Sequence, residues 1–150
     1  MFTVSRDFLF CYGHRLLDYD GKCSHLHGHN ARVRITLRGA ELDDGGMLLD
    51  FNKIKKAIGK WLDDNFDHRV ILYKDDPLAE LLLQINEPIY LLPDNPTAEN
   101  LAKVIFEYCE QLKLPIVSVQ FWETENCSAE FTNEISRNNS MEFIKTSGTN

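Results

Sequence analysis

No run of about 18 apolar residues occurs anywhere in the chain, which argues against a membrane-spanning helix. Positive charge is scarce. Against 23 Asp and Glu stand only 16 Lys and Arg, for a net charge of −7 and a pI near 5.2. That balance argues against general nucleic-acid binding and against docking on an anionic membrane. Cysteine is also sparse: Cys11, Cys23, Cys109 and Cys127 are scattered with no close pair. A reduced cytoplasmic protein is expected rather than a disulfide framework. The first 17 residues lack a basic start and are interrupted by Arg6, Asp7 and His14, so no secretory signal is expected there. No repeat and no linker divides the 150 residues. One domain over 1–135 is expected, followed by a polar tail over 136–150.

What the chain does have is histidine in one place. Four of its five histidines, His14, His25, His27 and His29, fall in one short segment, and the fifth, His68, follows Asp67. Histidine is the commonest metal ligand and titrates nearest neutrality. His27 and His29 lead into Ala31 to Arg38, where apolar and polar residues alternate with period two, as in a half-buried strand. Residues two apart on a strand point to one face, so both imidazoles can converge on one ion. Gly28 between them leaves room for close backbone approach, and His14 can supply a third nitrogen from another strand end. Three protein ligands with one open position is the pattern of a catalytic zinc, which polarises a bound oxygen. The competing explanation is a His-rich surface turn.

The remaining elements follow from pattern. Phe2, Val4, Phe8 and Phe10 mark a first strand over 2–10, and 29–38 a second. Asp43-Asp44-Gly45-Gly46 suggests a hairpin connection, after which 47–49 resumes an extended path. Asp50 is a plausible N-cap for an amphipathic helix over 51–63. Its apolar stripe is Phe51, Ile54, Ala57, Ile58, Trp61 and Leu62, and its lysines form a solvated face. Residues 70–73 are a short apolar run, 75–83 a turn or two of helix, and 89–92 a short strand. Asn95-Pro96-Thr97 signals a second long helix, running to about residue 113. Strands over 116–122 and 129–131 close the pattern. The dominant order is ββααββ, an α+β fold with a four-stranded antiparallel sheet and two helices on one face.

Several side chains carry two readings each. Cys23, four before His27, is either a base whose thiolate a nearby cation stabilises or a fourth ligand closing the site. Asp67 can fix the tautomer of His68, or His68 can be an ordinary helix-end histidine. Glu123, beside Trp122, can accept two N–H donors from a heterocycle edge or be a plain strand-end acid. Thr97 and Glu99 are most simply capping and first-turn residues. Cys11, Cys109 and Cys127 read as small buried apolar groups.

Together these pieces resemble the 6-pyruvoyl-tetrahydropterin synthase and 6-carboxy-tetrahydropterin synthase family. The resemblance rests on Phe10-x-x-x-His14-Arg15-Leu16, Cys23-x-x-x-His27-Gly28-His29-Asn30 and Gly46-Met47-x-x-Asp50-Phe51. Asp67-His68, Pro96-Thr97-Ala98-Glu99-Asn100 and Trp122-Glu123-Thr124 follow in the family's order, so that it covers about 2–131. It implies a tunnelling fold closed into an oligomeric barrel, a homohexamer built as a dimer of trimers. It implies Zn2+ on His14, His27 and His29, with Cys23 free as base and Asp67 and His68 as its proton relay. Glu123 would anchor a small-molecule pterin, with Thr97 and Glu99 among the substrate-binding residues. The implied substrate is 7,8-dihydroneopterin triphosphate. The short Cys-to-His spacing resembles the 6-carboxy branch, which serves queuosine biosynthesis, more than the 6-pyruvoyl branch. A non-catalytic zinc or pterin-binding module is the alternative of a different class. His25 stands where relatives often carry arginine or another polar residue, as a bystander or a phosphate contact.

Overall fold

A computed structural model of the chain describes residues 1–133. The tail expected over 136–150 lies outside the described residues. The fold is organised on β1 (Phe2–His14) and β2 (His27–Gly39), which pair antiparallel from Phe2 opposite Gly39 to His14 opposite His27. Both strands are longer than the sequence pattern suggested. Alternation continues through Tyr12 and His14 on β1, whose buried face therefore runs on to the strand end. On β2 the buried set is Ala31, Val33, Ile35 and Leu37, at period two as expected.

Covering that face is a helical run of three segments: α1 (Phe51–Ile54), a π-helical stretch (Lys55–Gly59) and α2 (Lys60–Asn65). Asp50 caps it as the sequence indicated, its carboxylate accepting the Asn52 N–H at 2.8 Å. Ile54, Ile58 and Leu62, one helical turn apart, are buried, while Lys53, Lys55, Lys56 and Lys60 are exposed. α3 (Pro77–Gln84) is a short helix, and α4 (Ala98–Gln111) buries Leu101, Ala102, Ile105, Phe106 and Cys109 in the same core. β5 (Ile116–Thr124) pairs antiparallel with β2, and β6 (Cys127–Thr132) with β5.

The expected four-stranded antiparallel sheet is corrected by two further strands. β3 (Arg69–Tyr73) and β4 (Ile89–Leu92) extend the sheet to six strands in the order β4-β3-β1-β2-β5-β6. β3 lies parallel to β1 and β4 parallel to β3, so the sheet is mixed. A short apolar run has no alternation to betray its pairing, and parallel strands need a long crossover, here supplied by the helical segments. The 47–49 stretch is not a strand either. Asp43 accepts the N–H groups of Gly45 and Met47, both at 2.9 Å, and turns the chain so that Leu48 and Leu49 pack against the core.

The end of β1 is tied down by a buried ion pair. The Arg15 guanidinium donates to both oxygens of Asp76, whose side chain is fully buried and which also caps α3 through the Leu78 N–H. The Arg15 hydrogen bonds hold the Asp76 carboxyl below the usual carboxylate range, against the opposing effect of burial. Its stabilising effect is thus complete above the ordinary carboxylate pKa near ~3.9 and is lost as pH falls through the lower folded value. Asp76→Ala should cost about 2–4 kcal/mol, combining a lost cap with a cation left partly buried. Urea unfolding at neutral pH checks this; a change below ~1 kcal/mol, the worth of a surface pair, would refute it.

Candidate metal centre and its surroundings

The β1–β2 register assembles three imidazoles. His14 sits directly opposite His27, and Tyr12 opposite His29, so the side chains of positions 12, 14, 27 and 29 share one face. The three histidine rings lie 4.5, 5.0 and 5.1 Å apart between centroids. One nitrogen from each falls within 4.8 Å of the others. Gly28 permits this pairing: a Cβ there would meet the Tyr12 carbonyl oxygen at 3.0 Å.

Hydrogen bonds settle which nitrogens face inward. His14 Nδ1 lies 2.8 Å from the Pro96 carbonyl, and His27 Nδ1 lies 2.7 Å from the His25 carbonyl. A carbonyl only accepts, so both Nδ1 atoms carry the proton and donate it. That leaves the two Nε2 lone pairs facing each other 3.0 Å apart. Two neutral imidazoles in this arrangement repel unless a cation lies between them, and fixing a ring through its outer N–H is how proteins orient metal-binding histidines. Burial pushes His14 down to about 4, with the Pro96 bond opposing and the neighbouring His27 and His29 adding to the effect. Burial also lowers His29. His14 and His29 therefore keep the neutral form that a metal requires. The residues fit a divalent cation.

Glu123, near the end of β5, reaches the same place. It accepts the Tyr12 O–H at 3.3 Å and lies 3.8 Å from His14 Nε2. Because burial keeps His14 neutral, this is a dipolar contact rather than an ion pair. Burial and then the Glu123 carboxylate push the Tyr12 phenol up, so Tyr12 stays a donor.

Asp67 and His68 follow α2. Asp67 Oδ1 is 3.0 Å from His68 Nδ1, and His68 adopts left-handed backbone, φ 55°. A non-glycine residue pays for that conformation, and such strain concentrates at functional positions. The His68 N–H donates to the Cys11 carbonyl at 2.8 Å, and the Cys11 N–H donates back to Asp67 Oδ1 at 3.0 Å. Burial pushes the Asp67 carboxyl up, but the bonds from Cys11 and His68 outweigh it and the net shift is downward. Cys23 occupies a single 3-10 turn, Lys22–Ser24, and its carbonyl accepts the Leu16 N–H at 2.8 Å. Among the described residues no side-chain hydrogen bond joins Cys23 to the histidines or to Asp67 and His68.

A model of the 6-pyruvoyl tetrahydropterin synthase family matches residues 3–134. The chain belongs to that family. It is accordingly a lyase. It is similar to proteins named 6-carboxy-5,6,7,8-tetrahydropterin synthase from Rickettsia typhi, 36% identical, and Haemophilus influenzae, 33% identical. Each match covers 87% of this chain and 99% of the relative. Among solved structures, the 6-pyruvoyl tetrahydropterin synthase of Caenorhabditis elegans aligns with TM-score 0.67 at 26% identity, over 88% of this chain and 95% of that one. An uncharacterised protein of Wolinella succinogenes aligns with TM-score 0.73 at 25% identity, over 88% and 98%.

Within this family fold the structure brings His14, His27, His29 and Glu123 together and pairs Asp67 with His68. It does not join Cys23 to that pair within one chain. The Thr97 side chain accepts the Asn100 N–H at 3.4 Å, so Thr97 caps α4, and Glu99 stands in the first turn. Their neighbour Pro96 is what touches the triad, through its carbonyl. Sequence reasoning missed Tyr12, although it lies two residues before His14 on the same strand face. The backbone of His25 orients His27, a role that no side-chain motif reveals. Cys11 is half-buried beside a carboxylate and an imidazole rather than packed as a small apolar group. No disulfide joins Cys11, Cys23, Cys109 or Cys127. No helix among the described residues is long and apolar enough to cross a membrane.

Proposed function

We propose that this chain is a zinc-dependent 6-carboxy-5,6,7,8-tetrahydropterin synthase acting on 7,8-dihydroneopterin triphosphate. The observation that carries the metal assignment is the pair of Nε2 lone pairs 3.0 Å apart with both outer N–H groups committed. The names of the curated relatives and the short Cys23-to-His27 spacing support the 6-carboxy product. His14, His27 and His29 would hold the zinc, which supplies a Lewis acid for oxygens of the substrate side chain. Cys23 removes a substrate proton. Asp67 holds the Nδ1 proton of His68, leaving Nε2 to pass that proton on. Glu123, already accepting from Tyr12, takes the N–H edge of the pterin. Thr97 and Glu99, next to the Pro96 carbonyl that holds His14, are further substrate contacts.

Cys23 and the Asp67–His68 pair meet between copies of the chain in this proposal, within a hexamer. Its support is the two open sheet edges, β4 and β6, and the exposed Leu81, Leu83, Ile85 and Leu91 around β4. A stable monomer in light scattering at micromolar concentration would refute the assembly.

Incubation with 7,8-dihydroneopterin triphosphate tests the function. Acetaldehyde, triphosphate and a 6-carboxy pterin are expected. Release of triphosphate without acetaldehyde, leaving a 6-pyruvoyl product, would instead support the 6-pyruvoyl reaction that the family description and the nematode structure name. Turnover of neither kind would support a binding module. Glu123→Gln places a donor against a pterin donor and should weaken binding of a pterin analogue by about 2–4 kcal/mol with metal content unchanged. Unchanged affinity in calorimetry would show that the ring is held elsewhere.

A further inference from the structure

Beside the histidine triad runs a groove of ≈ 500 Å³, with Cys11, His29, Asn30, His68 and Arg69 among its lining residues. On its wall stand the Cys11 thiol and the His68 imidazole, and the Asp67 carboxylate lies against both. Cys11 Sγ lies 3.7 Å from Asp67 Oδ1 and 3.6 Å from His68 Nδ1, and the latter two atoms are 3.0 Å apart. A tetrahedral zinc-type ion takes sulfur at about 2.3 Å and nitrogen or oxygen at about 2.0 Å. Those bonds at the tetrahedral angle give donor–donor edges of about 3.5 Å to sulfur and about 3.3 Å between nitrogen and oxygen. The observed triangle matches all three edges to within a few tenths of an ångström, about what side-chain rotation supplies.

We infer that Cys11, Asp67 and His68 form a second metal site, for a borderline divalent cation such as zinc or cobalt, separate from the histidine triad. Its donor set of thiolate, carboxylate and imidazole suits such ions and not magnesium or calcium. The backbone prepares it. The Cys11 N–H holds Asp67 Oδ1 and the Cys11 carbonyl holds the His68 N–H, so the strand end and the loop after α2 are locked together before any ion binds. Within one chain the His68 side chain is exposed and lines the groove, which gives an ion entry and leaves a fourth position open. Binding displaces the Cys11 thiol proton to solvent and moves the His68 proton from Nδ1 to Nε2, so that Nδ1 can donate its lone pair. It also takes Asp67 and His68 out of proton transfer, so an excess of the cation inhibits turnover. That inhibition rests on the relay proposed above; the binding itself does not.

Cobalt distinguishes the two sites, because the triad contains no sulfur. Adding Co2+ to the full-length protein already loaded with one zinc per chain, in a non-chelating reductant, should produce a thiolate-to-cobalt charge-transfer band in the near ultraviolet. The band should saturate at one further equivalent, vanish in Cys11→Ser and persist in Cys23→Ser. Asp67→Asn should weaken the second equivalent by at least about tenfold, the scale on which perturbing a metal site acts. A wild-type protein without the band, or a band that survives Cys11→Ser, would overturn the site. A band lost only in Cys23→Ser would overturn it too, since the thiolate on cobalt would then be that of Cys23. If the band follows Cys11 but excess zinc leaves turnover unchanged, the second site stands and the relay role of Asp67 and His68 fails.

Discussion

His27→Ala should release the metal and abolish turnover with it. The reason lies in the β1–β2 register, which sets His14 and His27 directly opposite, with Nε2 atoms 3.0 Å apart. Removing one imidazole leaves two nitrogens and a space that water fills. Losing only the outer partner of a metal-binding histidine costs 10–100-fold in affinity, so losing the ligand itself should cost on the order of 10³-fold or more. Metal analysis after dialysis reads this directly, and stoichiometric zinc retained in both His27→Ala and His29→Ala would refute the triad. The same rings set a pH signature in the metal-free protein. The unfolded chain takes up protons near the ordinary histidine pKa of ~6.5, whereas buried His14 resists protonation until about pH 4. Stability of the metal-free fold should therefore decline as pH drops across that window and level off below it. Bound metal opposes the same protonation, so a metal-loaded sample should hold its stability further into acid.

Cys23→Ala should keep its metal and lose about 10²- to 10⁴-fold in kcat, the range for removing a positioned acid–base group. Cys23 shares no side-chain hydrogen bond with the histidines, and its turn is held by backbone bonds from Ser24 to Gly21 and Leu16 to Cys23 and by the Ser24 hydroxyl donating to the Gly21 carbonyl, none of which uses the Cys23 side chain. Alanine at this position disturbs none of them. If zinc leaves with the thiol, the centre is a closed Cys/His₃ site and the base must be sought elsewhere. The same variant tests the assembly. Cys23→Ala and Asp67→Asn, each inactive alone, should regain part of the activity when co-expressed, since some sites in mixed oligomers then combine an intact thiol with an intact relay. Failure of mixed oligomers to recover any turnover would place both groups in the same chain.

How far each conclusion could be read from the residues depended on how local its cause was. The period-two runs of β1, β2 and β5 and the helical stripes of 51–65 and α4 set their own conformation, because one buried face suffices to specify it. The histidine spacing belongs to the same class. His27 and His29 share a face wherever that strand lies, and His14 is near because β1 and β2 are neighbours. β4 was legible as a short strand over 89–92, and β3 only as an apolar run over 70–73. Their parallel pairing is a contact between distant segments that no local pattern encodes, and so the sheet was expected with four strands rather than six. Nor could the sequence show that the Pro96 and His25 carbonyls orient the ligands, since backbone atoms carry no residue signature. It left Cys11 among the apolar cysteines, and only the close approach of β1 to the loop after α2 set that thiol against Asp67 and His68. The sequence by itself determined the amphipathic strands, the helical stripes and the histidine set. The tertiary structure decided which nitrogens turn inward and which thiol meets the carboxylate, because both depend on backbone hydrogen bonds that no residue pattern encodes, with Pro96 and Asp67 reaching β1 from far along the chain.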